Sequence, residues 1–537
     1  MVLLLFSNQT NIRKKSLKVF IFVLMKRSFA DILQGLDSDR AAKLARKLPE
    51  WAAVGAEIPT ALSLEQCSSS ATASYKASVA GQAAAAANLR FAHPSHALRR
   101  GPLPLTKPRV ATGLPAALPA PGDTPHYPSQ PDGGAPPAHE AAGGHGFAAA
   151  LPAPVIGTVL DLTGGLGVDS WALSRVAERV VYFERDAELA AAAERNFARL
   201  GAANIEVRCE TVTPESELPE ADLIYADPAR RNAAGRKVFL LEDCTPDILT
   251  LLPMLLRKAP TVLLKLSPMA DLAMLAGRLG PALREIHVVE LDGEMKELLC
   301  LLVRDATPAE PDIVVVSLSG QAAGFAARSG QLPPETSFGP HRCASLAVPP
   351  LTMPRVARFP EAVAADVPLL CLRFRMSEER AAEVQYATEL RPGDVLLEPC
   401  PALLKAGAFR LPCARWGLLK LAASTHLYLL PTVPGAKETF FAPGDPIFPS
   451  PGANTGVSAP GSQFFKAWRV RETLPFGAAA FRELRKRYPR ADVTSRNMPL
   501  GSAELQKKLG IAPGGDTHIF ACRLADGSPV LITAIAG

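Results

Sequence analysis

Two short motifs in the middle of the chain carry the residue types that a small-molecule site needs. The first runs from an apolar stretch that ends at Asp161 into a glycine-rich turn with Gly165 and Gly167. In open α/β sheets, ligands bind at the carboxyl ends of the strands, where glycines let the backbone approach them. Glu184 ends the next apolar run, where a carboxylate can accept both hydroxyls of a ribose. The spacing therefore predicts a nucleotide-type ligand.

The charges around the turn favour one class of ligand. A dinucleotide site needs a third glycine and no acid in the turn, because a pyrophosphate packs against the backbone. Here acids stand at 161 and 169, and carboxylates attract the ammonium and sulfonium groups of S-adenosylmethionine. We therefore predict S-adenosylmethionine as the cofactor. Its predicted contacts are Asp161, Thr163, Gly165, Gly167, Asp169, Glu184 and Glu210. The alternatives are a strand–helix turn without a ligand and, for Glu210 after the third strand, an ordinary solvated glutamate.

The second motif, Tyr225 to Arg231, follows another apolar run. A carboxylate fixed by the following proline can accept a hydrogen bond from the group being methylated, or hold a proton in passing. Methyl transfer is an in-line displacement, so positioning does most of the work. Arg230 and Arg231 suit a phosphate or carboxylate of the substrate, or are a solvated loop pair. The predicted catalytic residues are Asp227, Pro228 and Arg230.

Apolar runs that alternate with helical patterns position both motifs. The predicted strands are 155–162, 180–183, 205–209, 223–226, 261–266, 286–291 and 298–303, with a helix at 187–200 among the connections. Continuous apolar strands joined by helices indicate a parallel sheet covered on both faces, so we predict a doubly wound α/β domain over 155–305. Residues 31–80 have a helical pattern, the chain after 305 is predicted to be α+β, and Asp526-Gly527 predicts a terminal hairpin.

Composition limits what the rest of the chain can be. The 537 residues are 48% hydrophobic and 20% charged with a net charge of +6, which excludes whole-chain disorder and a wholly basic nucleic-acid binder. Residues 81–154, rich in Ala, Gly and Pro, are predicted to be a disordered insertion. Nine scattered cysteines without zinc-ligand spacing indicate reduced thiols and no metal site. The apolar run Val19 to Met25 is too short to cross a bilayer, so we predict a soluble cytoplasmic protein without membrane contact. Residues 1–30 are interpreted as an extension, with Met25 as an alternative start.

Positive charge concentrates near the carboxyl terminus. Residues 466–508 contain eleven Lys and Arg against four acids. In the predicted helix at 481–488, apolar residues form one stripe and basic residues spread outward. Such a surface suits a phosphate backbone, although a solvated basic face is the alternative. The predicted RNA contacts are Arg482, Arg485, Lys486, Arg487 and Arg496.

With these residues described, the chain resembles class I S-adenosylmethionine-dependent methyltransferases, and within them a bacterial group with a C-terminal THUMP-like domain. The similar segments are 62–77, 161–169, 226–231, 242–247, 264–268, 397–399, 404–409, 424–428 and 494–497. The resemblance implies a Rossmann-like methyltransferase domain after an N-terminal helical segment. It also implies α+β ferredoxin-like (306–440) and THUMP-like (441–537) domains, a combination that RNA-modifying enzymes use to hold tRNA. Residues 62–77 are then expected to pack as a helix over the donor pocket, lined by Gln66, Ser68, Thr72 and Lys76. The alternative is a plain amphipathic helix.

Two departures from related enzymes leave the target atom open. Exocyclic-amine methyltransferases usually follow their Asp/Asn-Pro-Pro with a stacking aromatic, whereas Ala229 and Arg230 stand here. Methylation of a ring carbon needs a thiolate, for which Cys244 is the cysteine nearest in sequence to Asp227. The leading prediction is an RNA methyltransferase acting on tRNA or rRNA. The alternatives are a methyltransferase on protein or small molecules, and a catalytically silent RNA-binding protein.

Overall fold

The computed structural model describes residues 29–91, 156–229, 244–319, 371–431 and 462–536. The expectations for residues 1–28, for most of the 81–154 insertion and for Arg230 and Arg231 lie outside these ranges. Among the described residues, no helix is both long and apolar enough to cross a membrane. The same residues contain no group of His, Cys, Asp and Glu side chains arranged to hold a metal ion.

Helices form the amino-terminal part of the described chain. They are α1 (Phe29–Lys47), α2 (Pro49–Ala53), α3 (Ala61–Gln66) and α4 (Ser70–Phe91). The single helix expected over 62–77 is therefore two helices. The break has a local cause, because Ser69 and Thr72 form a reciprocal cap in which each side-chain oxygen accepts from the other residue's backbone N–H, at 3.2 and 3.1 Å. This cap starts α4 afresh after the extended residue Cys67.

The predicted apolar strands form a nine-stranded sheet. Its strands are β1 (Ile156–Asp161), β2 (Ala177–Phe183), β3 (Ile205–Arg208), β4 (Leu223–Ala226), β5 (Thr261–Leu266), β6 (Leu283–Leu291), β7 (Glu294–Val303), β8 (Asp312–Leu318) and β9 (Cys371–Phe374). They lie in the order β3-β2-β1-β4-β5-β7-β6-β8-β9. β1 to β5 are parallel, and β7 is antiparallel to both of its neighbours. The α/β expectation is confirmed, with a mixed half added beyond β5.

Strands β8 and β9 extend this sheet rather than starting the next one. The sequence pattern assigned residues 312–318 to the α+β region after 305. In the structure, β8 pairs parallel with β6 and β9 pairs antiparallel with β8. The difference arises because sheet membership depends on long-range pairing, which a local apolar pattern does not encode.

Helices cover the first sheet on both faces. They are α5 (Val168–Ser174), α6 (Ala187–Arg199), α7 (Ile248–Lys258) and α8 (Leu272–Leu279). Asp186, Asp247 and Asp271 cap α6, α7 and α8, each accepting hydrogen bonds from backbone N–H groups of the first turn. α4 packs on one face of the sheet through Tyr75 and Val79. Each of the helices α5 to α8 connects two strands across one face of the sheet, and this connection fixes where the ends of the two strands lie.

The carboxyl-terminal region forms a second, eight-stranded sheet. Its strands are β10 (Gln385–Tyr386), β11 (Val395–Pro399), β12 (Leu419–Lys420), β13 (Tyr428–Leu429), β14 (Phe465–Pro475), β15 (Asp492–Ser495), β16 (Thr517–Arg523) and β17 (Pro529–Ala536), in the order β10-β12-β13-β11-β14-β17-β16-β15. The helices of this region are α9 (Met376–Ala381), α10 (Pro401–Lys405), α11 (Leu411–Trp416), α12 (Ala478–Arg487) and α13 (Ser502–Leu509), of which α10 packs on the first sheet. The predicted terminal hairpin is confirmed, since β16 and β17 pair antiparallel up to Arg523 opposite Pro529.

Candidate functional site

The first site lies where the parallel sheet reverses its strand order. β1 is flanked by β2 on one side and β4 on the other, so the loops that follow β1 and β4 leave in opposite directions. A crevice at the carboxyl ends of the strands is the expected ligand position in such a sheet. Asp161 is the last residue of β1 and Asp227 directly follows β4. The Asp227 backbone N–H donates to Thr163 Oγ1 at 2.6 Å, which ties the two loops together.

The glycines of the turn have different physical reasons. A Cβ on Gly164 would lie 2.0 Å from the Tyr182 ring, and one on Gly167, whose φ is +89°, would lie 2.5 Å from the Phe197 ring. These two positions therefore need glycine for packing against β2 and α6. Gly165 has a φ of +55° but meets only a backbone oxygen, at 3.9 Å. Packing thus accounts for Gly164 and Gly167, whereas the outer side of Gly165 is open, and the predicted ligand contacts of Gly165 and Gly167 stay predictions.

Asp161 is a buried carboxyl group with two protein donors. Its side chain accepts from Ser170 Oγ at 2.5 Å and from the Thr163 backbone N–H at 3.0 Å. Burial raises the pKa of Asp161 from 3.8 to about 7, and the nearby charges of Asp169 and Asp227 act in the same direction, whereas the two hydrogen bonds oppose the rise. A cation bound beside this carboxyl group would favour its ionised form.

Glu184 follows β2 and anchors the turn. Its Oε2 accepts from the Gly165 backbone N–H at 2.7 Å, and Oε1 accepts from the Asp186 N–H at 2.9 Å. Each carboxylate oxygen keeps a lone pair that can accept a ribose hydroxyl. The expected contact with the ribose stays a prediction. Glu210 follows β3 and is exposed, and its expected position near an adenine also stays a prediction.

A charged network lies beneath the turn. The Lys76 side chain is fully buried, and its Nζ lies 3.2 Å from Asp169 Oδ1 and 2.9 Å from Glu297 Oε1. It also donates to Ser68 Oγ at 2.8 Å, and Ser68 in turn donates to Asp169 at 2.9 Å. Burial alone would raise the pKa of Asp169. The nearby ammonium groups of Lys76 and Lys265, together with the hydroxyl donors, outweigh burial and lower this pKa. Lys76, expected to line the pocket, is thus engaged by protein acids instead.

The same network supports the expectation about the segment before the insertion. Ser68 and Lys76 contact Asp169 although about a hundred residues separate them in sequence. The segment containing α3 and α4 therefore does lie against the glycine turn. Of the other residues expected to line the pocket, Thr72 is buried and its hydroxyl bonds within the cap of α4, while Gln66 is exposed.

Sequence reasoning gave no role to Lys265, which stands next to Asp227. Lys265 lies in β5, and its Nζ forms an ion pair with Asp227 Oδ2. Burial opposes the charge of this lysine, but Asp227, Glu297 and Asp169 outweigh it and raise its pKa. The available signal was a lone lysine in the otherwise apolar strand Thr261–Leu266. Tyr225, the first residue of the second motif, also received no role of its own from the sequence. In the structure its hydroxyl donates to Asp169 at 2.8 Å.

Two described residues on either side of positions 230–243 pair near the carboxyl end of β4. Ala229 and Thr245 pair through two backbone hydrogen bonds of 2.7 and 3.0 Å. Pro228 is buried, whereas the predicted catalytic Arg230 is outside the described residues. The pairing brings Cys244, the residue before Thr245, back toward the end of β4.

The predicted RNA-binding helix is only partly available for phosphate. Arg485 donates to the carbonyls of Leu509 and Lys508, at 2.7 and 3.2 Å, and so caps the end of α13. Arg487 pairs with Glu472 at 2.8 Å and with Glu483 at 2.5 Å. Arg482 and Lys486 are exposed, and neither forms an ion pair with a described residue. The net positive surface of α12 is therefore smaller than the residue count indicates.

Comparisons with known proteins agree with this architecture. Residues 465–535 match the model of a THUMP domain-like family, and residues 396–434 match that of a ferredoxin-like domain. A comparison with curated protein sequences finds no match. The crystal structure of a proposed methyltransferase from Porphyromonas gingivalis W83 is similar over 93% of this chain and 88% of its own, with 26% identity and a TM-score of 0.56.

Two further structures align with a smaller part of the chain. An rRNA methylase from Streptococcus thermophilus is 13% identical over 28% of this chain and 87% of its own, with a TM-score of 0.22. The tRNA (m1A58) methyltransferase TrmI from Aquifex aeolicus is 16% identical over 28% of this chain and 63% of its own, with a TM-score of 0.21. These TM-scores are too low for either protein to support a conclusion about this chain.

Proposed function

We propose that this chain, which belongs to the class I methyltransferases with ferredoxin-like and THUMP-like domains after the catalytic sheet, methylates a base in tRNA or rRNA. One observation carries the proposal. Three acids lie at the carboxyl ends of strands around the reversal point of the first sheet: Asp161 ends β1, Glu184 follows β2 and Asp227 follows β4. In the same chain, residues 465–535 of the second sheet match a THUMP-like domain. The first feature suits a cationic nucleoside donor, and the second suits RNA.

The residues around the turn fit S-adenosylmethionine. Asp161 offers negative charge to an ammonium group, and the remaining lone pairs of Glu184 can accept ribose hydroxyls. Gly165 leaves its outer side open for a close approach of the ligand. Bound S-adenosylmethionine supplies an electrophilic methyl group. In this proposal, Thr163 keeps the loops after β1 and β4 together, so that donor and acceptor groups meet at one place.

Asp227 is the residue that we propose to face the substrate. Its ion pair with Lys265 fixes one carboxylate oxygen, and its side chain stays about one-third exposed. The other oxygen can accept a hydrogen bond from the nucleophilic group of the base and receive the proton that this group loses. Pro228 restrains the backbone that follows Asp227. Arg230 is proposed to hold a substrate phosphate.

The test combines donor binding with methyl transfer. Calorimetry with S-adenosylmethionine measures the dissociation constant of the full chain, and tritium from labelled donor is counted in RNA from cells that lack this gene. We expect Glu184→Gln to weaken donor binding by at least about tenfold, because a charge-assisted contact is lost and the amide nitrogen meets one of the two backbone N–H groups that the carboxylate accepts from. Asp227→Asn should bind donor normally and lose transfer by at least about a hundredfold. Glu188→Gln, an exposed change in α6, is the matched control and should behave as wild type.

Each part of the proposal has its own refuting result. No binding at millimolar donor would exclude the methyltransferase activity. Tritium recovered in protein, with none in RNA, would exclude the RNA substrate. Wild-type turnover of Asp227→Asn would exclude the role of that carboxylate. Mass spectrometry of nucleosides from the same cells would identify the methylated atom.

A further inference from the structure

A second polar cluster lies in the second sheet, away from the basic helix. We call Glu398, Phe409, Lys420, His426, Lys466 and Arg496 the Arg496 cluster. Its members come from β11, the loop after α10, the β12 end and the turn that follows it, β14, and the segment after β15. Five separate stretches of chain therefore converge on it, and it spans both the ferredoxin-like and the THUMP-like matches.

Hydrogen bonds and ring contacts fix the cluster. Arg496 Nη2 donates to Glu398 Oε1 at 3.1 Å, and Trp468 Nε1 donates to Glu398 Oε2 at 3.2 Å. Lys466 Nζ lies 4.1 Å from the centre of the Trp468 ring. The His426 ring stacks on Phe409 with a centroid distance of 3.8 Å and an interplanar angle of 23°. The side chains are therefore held in place by the protein.

Two polar atoms in the cluster lack partners. Arg496 Nε and His426 Nδ1 are shielded from solvent, and neither has a hydrogen-bond partner among the described residues. A guanidinium nitrogen can only donate, so a buried Nε–H without an acceptor costs free energy unless a ligand provides one. Burial and the positive charges of Lys420 and Arg496 lower the pKa of His426 to about 4. The charged groups that face His426 are thus both cations.

The cluster has the chemistry of an anion site. Two of its cationic side chains, Lys466 and Arg496, lie beside its one carboxylate, Glu398. Lys420 is buried, and its Nζ donates to the Ala423 carbonyl at 2.7 Å, so it contributes positive charge but no free donor. The Arg496 Nε–H group, which has no acceptor among the described residues, requires an acceptor oxygen in one direction. A phosphodiester meets both requirements, and the exposed Lys466 offers a second point of contact.

The cluster and the basic helix occupy opposite faces of the second sheet. Alternate residues of a strand point to opposite faces. α12 and α13 pack on the face of Val493 and Ile519. The other face carries Thr494 and His518, whose side chains bond at 2.7 Å, and the His518 ring lies 4.5 Å from that of Trp468. Measurements on the two surfaces can therefore be separated.

We infer that the Arg496 cluster binds a backbone phosphate of the RNA substrate. This inference deepens the proposed function and rests on it. The sequence predicts Arg496 in one basic surface with α12, whereas in the structure Arg496 pairs with Glu398. Arg496 then contributes a directed hydrogen bond, and Lys466 contributes charge.

The test measures binding of labelled, unfractionated tRNA to the full chain at several salt concentrations. Arg496→Lys keeps the positive charge and the means to pair with Glu398 but removes the Nε–H donor. We expect about tenfold weaker binding with an unchanged salt slope. Lys466→Gln should weaken binding and reduce the slope of log Kd against log salt by about 1. Lys258→Gln, which removes one charge from α7, is the matched control and should show wild-type affinity and slope. Donor affinity and the melting temperature check folding.

The outcomes separate this inference from the proposed function. If wild type binds neither donor nor RNA, both fail. If Arg482→Gln or Lys486→Gln weakens RNA binding while Arg496→Lys and Lys466→Gln match the control, the function stands and the cluster is not the contact. If the cluster variants lose affinity for adenosine monophosphate or inorganic phosphate but keep their RNA affinity, the cluster is a site for small phosphates and the inference is overturned.

Discussion

Asp161→Asn tests whether burial controls ionisation at the candidate donor site. The Asp161 side chain is 1% exposed and accepts from the Thr163 N–H and from Ser170 Oγ. An asparagine has the same shape and its oxygen can keep the bond from Thr163. The Ser170 hydroxyl can rotate and accept from the amide. The substitution therefore removes a titratable group while Thr163 keeps its acceptor and Ser170 Oγ keeps a hydrogen-bond partner at this position.

The magnitude follows from the pKa of Asp161, which burial raises from 3.8 to about 7. Between these values the folded protein holds a proton that the unfolded chain has released, so the free energy of unfolding falls as pH rises. The loss is about 1.4 kcal/mol per pH unit and is complete above pH 7. From pH 5 to pH 8, wild type should therefore lose about 3 kcal/mol through this residue, and the variant should not.

The assay is thermal unfolding of both proteins without donor at pH 5 and pH 8. The advantage of the variant should grow by roughly 4 °C between the two pH values, because the roughly 350 described residues give an unfolding entropy of about 0.7 kcal/mol per degree. Donor binding should meanwhile weaken, because the variant lacks the carboxylate that we propose to attract the ammonium group of the donor. Asp305→Asn changes an 89% exposed carboxylate and is the control. A difference between Asp161→Asn and wild type that is equal at both pH values would refute the reasoning.

Two further substitutions test the packing beneath the site. Lys76→Met leaves the Asp169 carboxylate buried without its closest cation, so we expect a loss of about 3–5 kcal/mol in unfolding free energy, and a loss below about 1 kcal/mol would contradict the network. Gly164→Ala places a Cβ 2.0 Å from the Tyr182 ring, so the turn must shift and calorimetry should show that donor binding is lost. Gly277→Ala meets nothing within 4 Å and should leave donor binding unchanged, so equal behaviour of the two variants would argue against the steric explanation.

The second site shows the limit of a residue count. Eleven basic residues between 466 and 508 indicated one continuous basic surface. In the structure, Arg485 caps α13, Arg487 pairs with two glutamates, and Arg496 joins Glu398 on the other face of the sheet. A charge that is paired or hydrogen-bonded contributes less to a phosphate surface than its position in the sequence implies.

The sequence by itself determined what depends on local order. Apolar runs defined β1, β2, β4 and β5, and an acid at the end of two of these runs marked Asp161 and Glu184, because strand burial and strand ends follow from consecutive residues. Only the tertiary structure decided that Lys265 pairs with Asp227, that Lys76 bonds Asp169, and that β8 and β9 complete the first sheet. These contacts join residues far apart in the chain, and their energy depends on distance and burial, which exist only once the chain has folded.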